Sequence, residues 1–158
     1  QERSAQAMGE FINQWVGGIE RLRWAHMEKP LRAAQGTRSP DYPRAASGLT
    51  SEAWTAEWST LRTLAVLPPE AAVPAPGQAL VPLETYLRGR GLNPLADRLV
   101  KTTQDIDSAF SALTRAGQHN GTQVQQVAKA LSALKRLAEA EIAPALQVSI
   151  GFSDADGD

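Results

Sequence analysis

The chain contains no cysteine, which removes disulfides, thiol nucleophiles and cysteine-ligated metal sites and leaves the redox compartment open. No run of about 18 apolar residues occurs, so no segment qualifies as a membrane span. Histidine is scarce. His26 and His119 have no histidine or carboxylate at the His-Glu-x-x-His spacing that puts metal ligands on one helical face. No serine sits in a Gly-x-Ser-x-Gly elbow, and no glycine-rich phosphate loop is present. Excess charge is also lacking: 16 basic against 17 acidic residues leave a net charge of −1 over 158 residues. That balance supplies no field to gather polyphosphate and argues against a nucleic-acid partner. The chain begins at Gln1 with no signal-like apolar stretch behind it, so a processed or truncated form is expected.

What the sequence does hold is helical periodicity. Val124, Val127, Ala128, Leu131, Leu134, Ala138, Ile142 and Ala145 recur at three- and four-residue steps, which lays them on one stripe of an α-helix. Thr122 and Gln125 have capping-box spacing and predict its start. Pro144 predicts its end within a few residues, followed by an extended Val148-Ser149-Ile150. At the other end, Met8, Phe11, Ile12, Trp15, Ile19, Leu22 and Met27 mark a helix from about Arg3 to Lys29, stopped near Pro30. Its Gly17-Gly18 pair costs about 1 kcal/mol per glycine relative to alanine, so a close neighbouring helix is expected there.

Between these ends, residues 30–49 lack periodicity and read as a long surface connection. Thr50 or Ser51 caps a second helix with Trp54, Trp58, Leu61, Leu64 and Ala65, closed by Pro68-Pro69. The two tryptophans share one face, where they either fill the core or line a pocket. A proline-rich connection over 68–77 leads to a short helix with Leu80, Leu83, Tyr86 and Leu87, Pro82 being tolerated in its first turn. Asn93-Pro94 then opens a helix carrying Leu95, Leu99, Ile106, Phe110 and Leu113. The expectation is an all-α single domain over 1–158, a bundle of four to five helices with a short extended C-terminal segment. The first and last helices should be the longest.

The closing residues, Pro144-x-Leu146-x-Val148 and Gly151-Phe152 followed by Asp156-Gly157-Asp158, resemble the C-terminal signature of the imelysin family of bacterial cell-envelope proteins. Two positions depart from it: Ser153 stands where asparagine is common, and Gln147 replaces a frequent glycine. The run from Leu83 to Leu99, with a short helix, a glycine turn and Leu95-Ala96-x-x-Leu99, is similar to the same family. So is Arg38-Ser39-Pro40, which matches an arginine-serine segment that such proteins carry before their next helix; taken alone it is also an ordinary solvated turn. The family's Gly-x-His-x-x-Glu motif lies in the preceding half. Gly117-Gln118-His119 reproduces its start, but Thr122 occupies the glutamate's place.

The resemblance implies the C-terminal half of a periplasmic or outer-envelope protein associated with iron uptake. Arg38 and Ser39 are then its binding residues, and this chain supplies neither a catalytic residue nor a metal ligand. The family is peptidase-named, so one alternative is half of a metallopeptidase whose histidine and glutamate come from the missing N-terminal half. Iron or another metal enters only with that half. The partner is accordingly that N-terminal half or a companion chain, with no nucleic acid and no membrane span. The other alternative is an unrelated helical interaction module. Asp154, Asp156 and Asp158 beside Gly157 make only a fragment of a calcium loop, since no glutamate comes after them.

Overall fold

Residues 2–34, 38–75, 77, 81–117 and 119–151 of the chain are described by a computed structural model. Helix α1 runs as α-helix over Glu2–Glu20, as π-helix over Arg21–Glu28 and again as α-helix over Lys29–Ala34. A loop with one 3₁₀ turn at Ala45–Ser47 leads to α2, Thr50–Ala65. After the proline-rich connection come α3, Leu83–Gly89, and α4, Asn93–Ala116. The last helix, α5, is α-helical over Gly121–Leu137, passes through a π turn at Ala138–Ile142 and ends at Ala143–Ala145. The described residues contain no strand, and the architecture is an all-α bundle. Helix α4 packs most extensively on α5, which also meets both the α and π parts of α1.

One apolar cluster ties all five helices together. Trp15, Ile19 and Leu22 of α1 join Trp54 and Trp58 of α2, Leu83 and Leu87 of α3, Leu99 and Ile106 of α4, and Val127 and Leu131 of α5. Each side chain of this size contributes about 1.5–3 kcal/mol when taken fully out of water. Trp54 and Trp58 are 1% and 4% exposed, so both belong to the core rather than to a pocket. Two buried indole N–H groups are satisfied across helices: Trp15 Nε1 donates to Leu61 O at 3.0 Å, and Trp58 Nε1 to Asp107 Oδ1 at 2.8 Å. Arg62 Nε donates to the same carboxylate at 2.8 Å, which joins α2 to α4 by a charge-assisted bond. At Gly18 a Cβ would lie 2.8 Å from Leu61 Cδ2, so this glycine permits the close approach of α2; Gly17 has nothing within 4 Å.

Several local expectations are corrected. Pro30 does not stop α1. In the π stretch before it, Lys29 N–H reaches back five residues to Trp24 O, so the ladder widens ahead of the proline. This lets a ring that removes a donor and crowds the preceding turn pass without breaking the helix. Both end helices carry such π turns. Counted through these turns the first and last helices, residues 2–34 and 121–145, are the longest, as expected; only as an unbroken α stretch is α4 longer, at 24 residues against 19 and 17. Thr122 is not the cap of α5. Asn120 is, its side chain accepting from Gln123 N–H at 3.1 Å, because the chain turns into the helix two residues earlier. Thr50 does not cap α2 either; its buried hydroxyl donates to Pro43 O at 3.0 Å, tying down the preceding loop. Asn93 is already the first helical residue of α4 and its side chain caps nothing, with Leu92 at the cap position. Leu80 lies outside the described residues, and α3 begins just after Pro82.

Helix α5 does end at Pro144, as its sequence predicts. Gln147 takes a left-handed φ of 56°, and Val148 N–H returns to Ala143 O at 2.9 Å. The segment then lies against α1, where Asn13 behaves like a strip of backbone. Its Nδ2 donates to Ser149 O at 3.2 Å and its Oδ1 accepts from Gly151 N–H at 2.9 Å. Residues 152–158, which carry Phe152, the Asp-Gly-Asp end of the signature and the acidic fragment, lie outside the described residues.

Two substitutions test this packing. Trp58→Ala empties a large aromatic site and leaves Asp107 with Arg62 alone, and should cost about 3–5 kcal/mol in denaturant unfolding. Asn13→Ala removes three backbone-directed bonds, two of them to the 149–151 segment; it should cost about 1–2 kcal/mol and make the Gly151 amide exchange with solvent faster than in the parent.

Candidate functional site

The segment that carries Arg38 and Ser39 faces the last turns of α1 across an open groove of about 550 Å³. Ala25, Lys29, Pro30 and Ala33 come from the helix, and Arg38, Ser39, Asp41 and Pro43 from the loop. The continuation of α1 past Pro30 adds Ala33 to a helix wall that Ala25, Lys29 and Pro30 begin. The wall's residues are short apart from Lys29, so the floor is shallow and apolar with one ammonium on it. Tyr42 sits between two lining residues but points into the core, 4% exposed, with its ring edge-on to Trp54 at a centroid distance of 4.8 Å. Neither the Tyr42 hydroxyl nor the Trp54 indole N–H has a hydrogen-bond partner among the described residues. The ring contact therefore does the anchoring. Burial pushes the Tyr42 phenol above its ordinary value, so it stays a neutral group across the physiological range. Ala45 N–H to Tyr42 O at 3.0 Å and the Thr50–Pro43 bond fix the loop on its far side.

The structure thus brings Arg38 and Ser39 together with Lys29 and Asp41, two residues that no motif in the sequence singles out. Lys29 lies off the apolar stripe, immediately before a proline that reads as a helix end. Asp41 is one more polar residue in an aperiodic loop. Only the fold places them on one groove. All four are exposed, and none of their side chains makes a hydrogen bond or ion pair among the described residues.

Toward the π stretch the electrostatics are saturated instead. Glu20, 7% exposed, takes Arg23 Nε at 2.8 Å and lies 3.4 Å from Lys135 Nζ of α5. Arg23 and Arg32 both bond Glu28, and their guanidinium carbons stand 5.9 and 5.4 Å from the Trp24 ring centroid, giving a cation–π stack on a half-buried indole. Burial alone would raise the Glu20 carboxyl. The Arg23 bond and charge, with Lys135, overcome it and hold the group below the usual carboxylate value. His26 Nδ1 lies 3.0 Å from both Glu57 oxygens. This partner is on α2, 31 residues away, so no local motif reveals it.

Among the described residues no group of three or more histidines, cysteines or acids is placed to hold a metal ion, and no helix is long and apolar enough to cross a membrane. His119 is exposed at the turn before α5, and Gln118 beside it lies outside the described residues. A second groove, about 380 Å³ between α1, the end of α2 and the start of α3, is lined chiefly by Met8, Phe11, Leu64, Val81 and Tyr86. Comparison with protein-family models, with curated proteins and with solved structures yields no match.

Because the folded-state pKa of Glu20 is lowered, its contribution to stability is full above the unfolded carboxylate value and is lost as pH falls through the folded one. Denaturation midpoints followed from neutral to acid pH should therefore decline in the parent below about pH 4.5, and decline less steeply in Glu20→Gln. Parallel curves would exclude Glu20 as a source of the acid sensitivity.

Proposed function

We propose that this chain is the C-terminal bundle of an imelysin-like protein of the bacterial cell envelope, working in the periplasm or outer envelope in a process tied to iron uptake. Its part is binding rather than catalysis. The observation that carries this reading is the backbone at Gln147. Its φ of 56° is one that favours glycine, and glycine is frequent in the family at this place in the Pro-x-Leu-x-Val segment. The other residues of that segment also have definite work here: Pro144 ends α5, Leu146 is buried, and Val148 turns back onto Ala143 and packs against the core. The groove holding Arg38 and Ser39 is then this bundle's contribution to a site completed by the family's other half, whether as preceding residues or as a companion chain, which bears the Gly-x-His-x-x-Glu motif.

Cell fractionation combined with growth on an iron chelator tests the proposal. The full-length protein should appear in the envelope fraction, and a deletion strain should grow more slowly than its parent only when iron is limiting. A cytoplasmic protein, or a deletion strain that matches its parent under iron limitation, would overturn it.

A further inference from the structure

We propose that the groove between the end of α1 and the 38–43 loop binds a small organic carboxylate with an apolar body. The proposal rests on the reading of Arg38 and Ser39 as binding residues and gives that site a ligand class. Two cations stand on opposite walls, Lys29 from the helix and Arg38 from the loop, and neither is neutralised by a described protein group. An arginine fork matches a carboxylate in two-bond geometry, and a lysine adds a point charge. The Ser39 hydroxyl supplies a further donor on the loop wall. The floor decides between organic and inorganic anions. Ala25, Pro30 and Ala33 present carbon with no donor, which suits a hydrocarbon body and gives a bare, fully hydrated phosphate nothing to bury against. Volume agrees, since about 550 Å³ falls within the size of small-molecule sites. Asp41 limits the charge accepted. A carboxylate on the same wall as Arg38 repels an anionic ligand, so a monoanion is favoured over a multiply charged one.

The wall is also fixed before any ligand arrives. Tyr42 against Trp54 and the Thr50–Pro43 bond hold the loop, and a preformed wall lowers the ordering cost of binding.

The test is a titration of the uniformly ¹⁵N-labelled full chain with sodium butyrate, and separately with sodium phosphate at matched ionic strength, monitored by amide chemical shifts. Butyrate should produce saturable shifts confined to the amides of Ala25, Lys29, Ala33, Ser39 and Asp41, with phosphate binding more weakly. Arg38→Gln should weaken butyrate about tenfold, the loss of one charge-assisted contact. Asp41→Asn should tighten it, while Arg136→Gln on a distant face should leave it unchanged. The spectra themselves report whether each variant is folded. Shifts that are scattered or never saturate, phosphate binding as tightly as butyrate, or an Arg38→Gln protein that binds like its parent would each overturn the proposal. The assay uses purified chain and depends on neither cell compartment nor growth. Butyrate binding by a protein found in the cytoplasm would therefore leave the groove standing and remove only the envelope reading.

Discussion

The structure depends on how a helix gets past a proline. Pro30 offers no N–H to the ladder, and its ring crowds the carbonyl of the preceding turn, an interior cost of about 3 kcal/mol in an unrelieved α-helix. The chain meets this by widening the ladder before the proline: over Arg21–Glu28 the bonds reach five residues back, and Lys29 N–H closes on Trp24 O. The helix then has one more turn to give, and Ala33 on that turn lengthens the groove's helix wall. Pro144 is met in the same way. There Ala143 N–H reaches Ala138 O across a π turn, and the helix stops only after Ala145. The two prolines differ in the path of the chain beyond them. After Pro30 it stays helical to Ala34; after Pro144 it enters a left-handed residue at Gln147 and folds back along α1.

Widening a ladder weakens its own hydrogen bonding, so other interactions must hold the π stretch. Two kinds are present. Leu22 and Met27 are fully buried from within it, and its charged residues are cross-linked. Arg23 joins Glu20 to Glu28, Arg32 joins Glu28 from the next turn, and Lys135 reaches Glu20 from α5. Exposed ion pairs contribute little singly. These share partners: the pairs within α1 brace its π stretch, and Lys135–Glu20, which crosses to α5, contributes to the rotation of α1 about its axis. That rotation decides which side of the helix meets the loop.

The fold class is legible because the apolar stripes are local. Val124, Val127, Leu131 and Leu134 repeat at helical steps and all four are fully buried, and the same holds for Leu99 and Ile106 of α4. The helix ends are less legible, because several residue types compete for each cap. Asn120 takes the place read for Thr122, and Thr50 spends its hydroxyl on the loop instead of its own helix. Continuation through Pro30 is not legible at all, since a π turn leaves no composition signature. The groove is half legible. Arg38 and Ser39 stand out by their resemblance to a family segment, whereas Lys29 and Asp41 join them only through the path of the loop against α1, which distant contacts set.

Trp54 shows why core and site cannot be separated in this protein. Its burial answers the choice between pocket and packing in favour of packing, yet the ring packed on its edge is Tyr42, which belongs to the loop between Asp41 and Pro43. The loop has few other ways to be held, because residues 38–44 contribute no helical bonds of their own. An aromatic pair of this kind is worth about 0.5–1.5 kcal/mol beyond the area it buries. Added to the Thr50–Pro43 bond, that offsets only part of the cost of ordering a seven-residue loop, about 1–2 kcal/mol per residue, so the burial of the Tyr42 ring itself must supply much of the rest. The groove's loop wall is thus an outgrowth of the core. The charge on it, from Arg38 and Asp41, varies without touching that support, whereas the position of both residues is set by Tyr42.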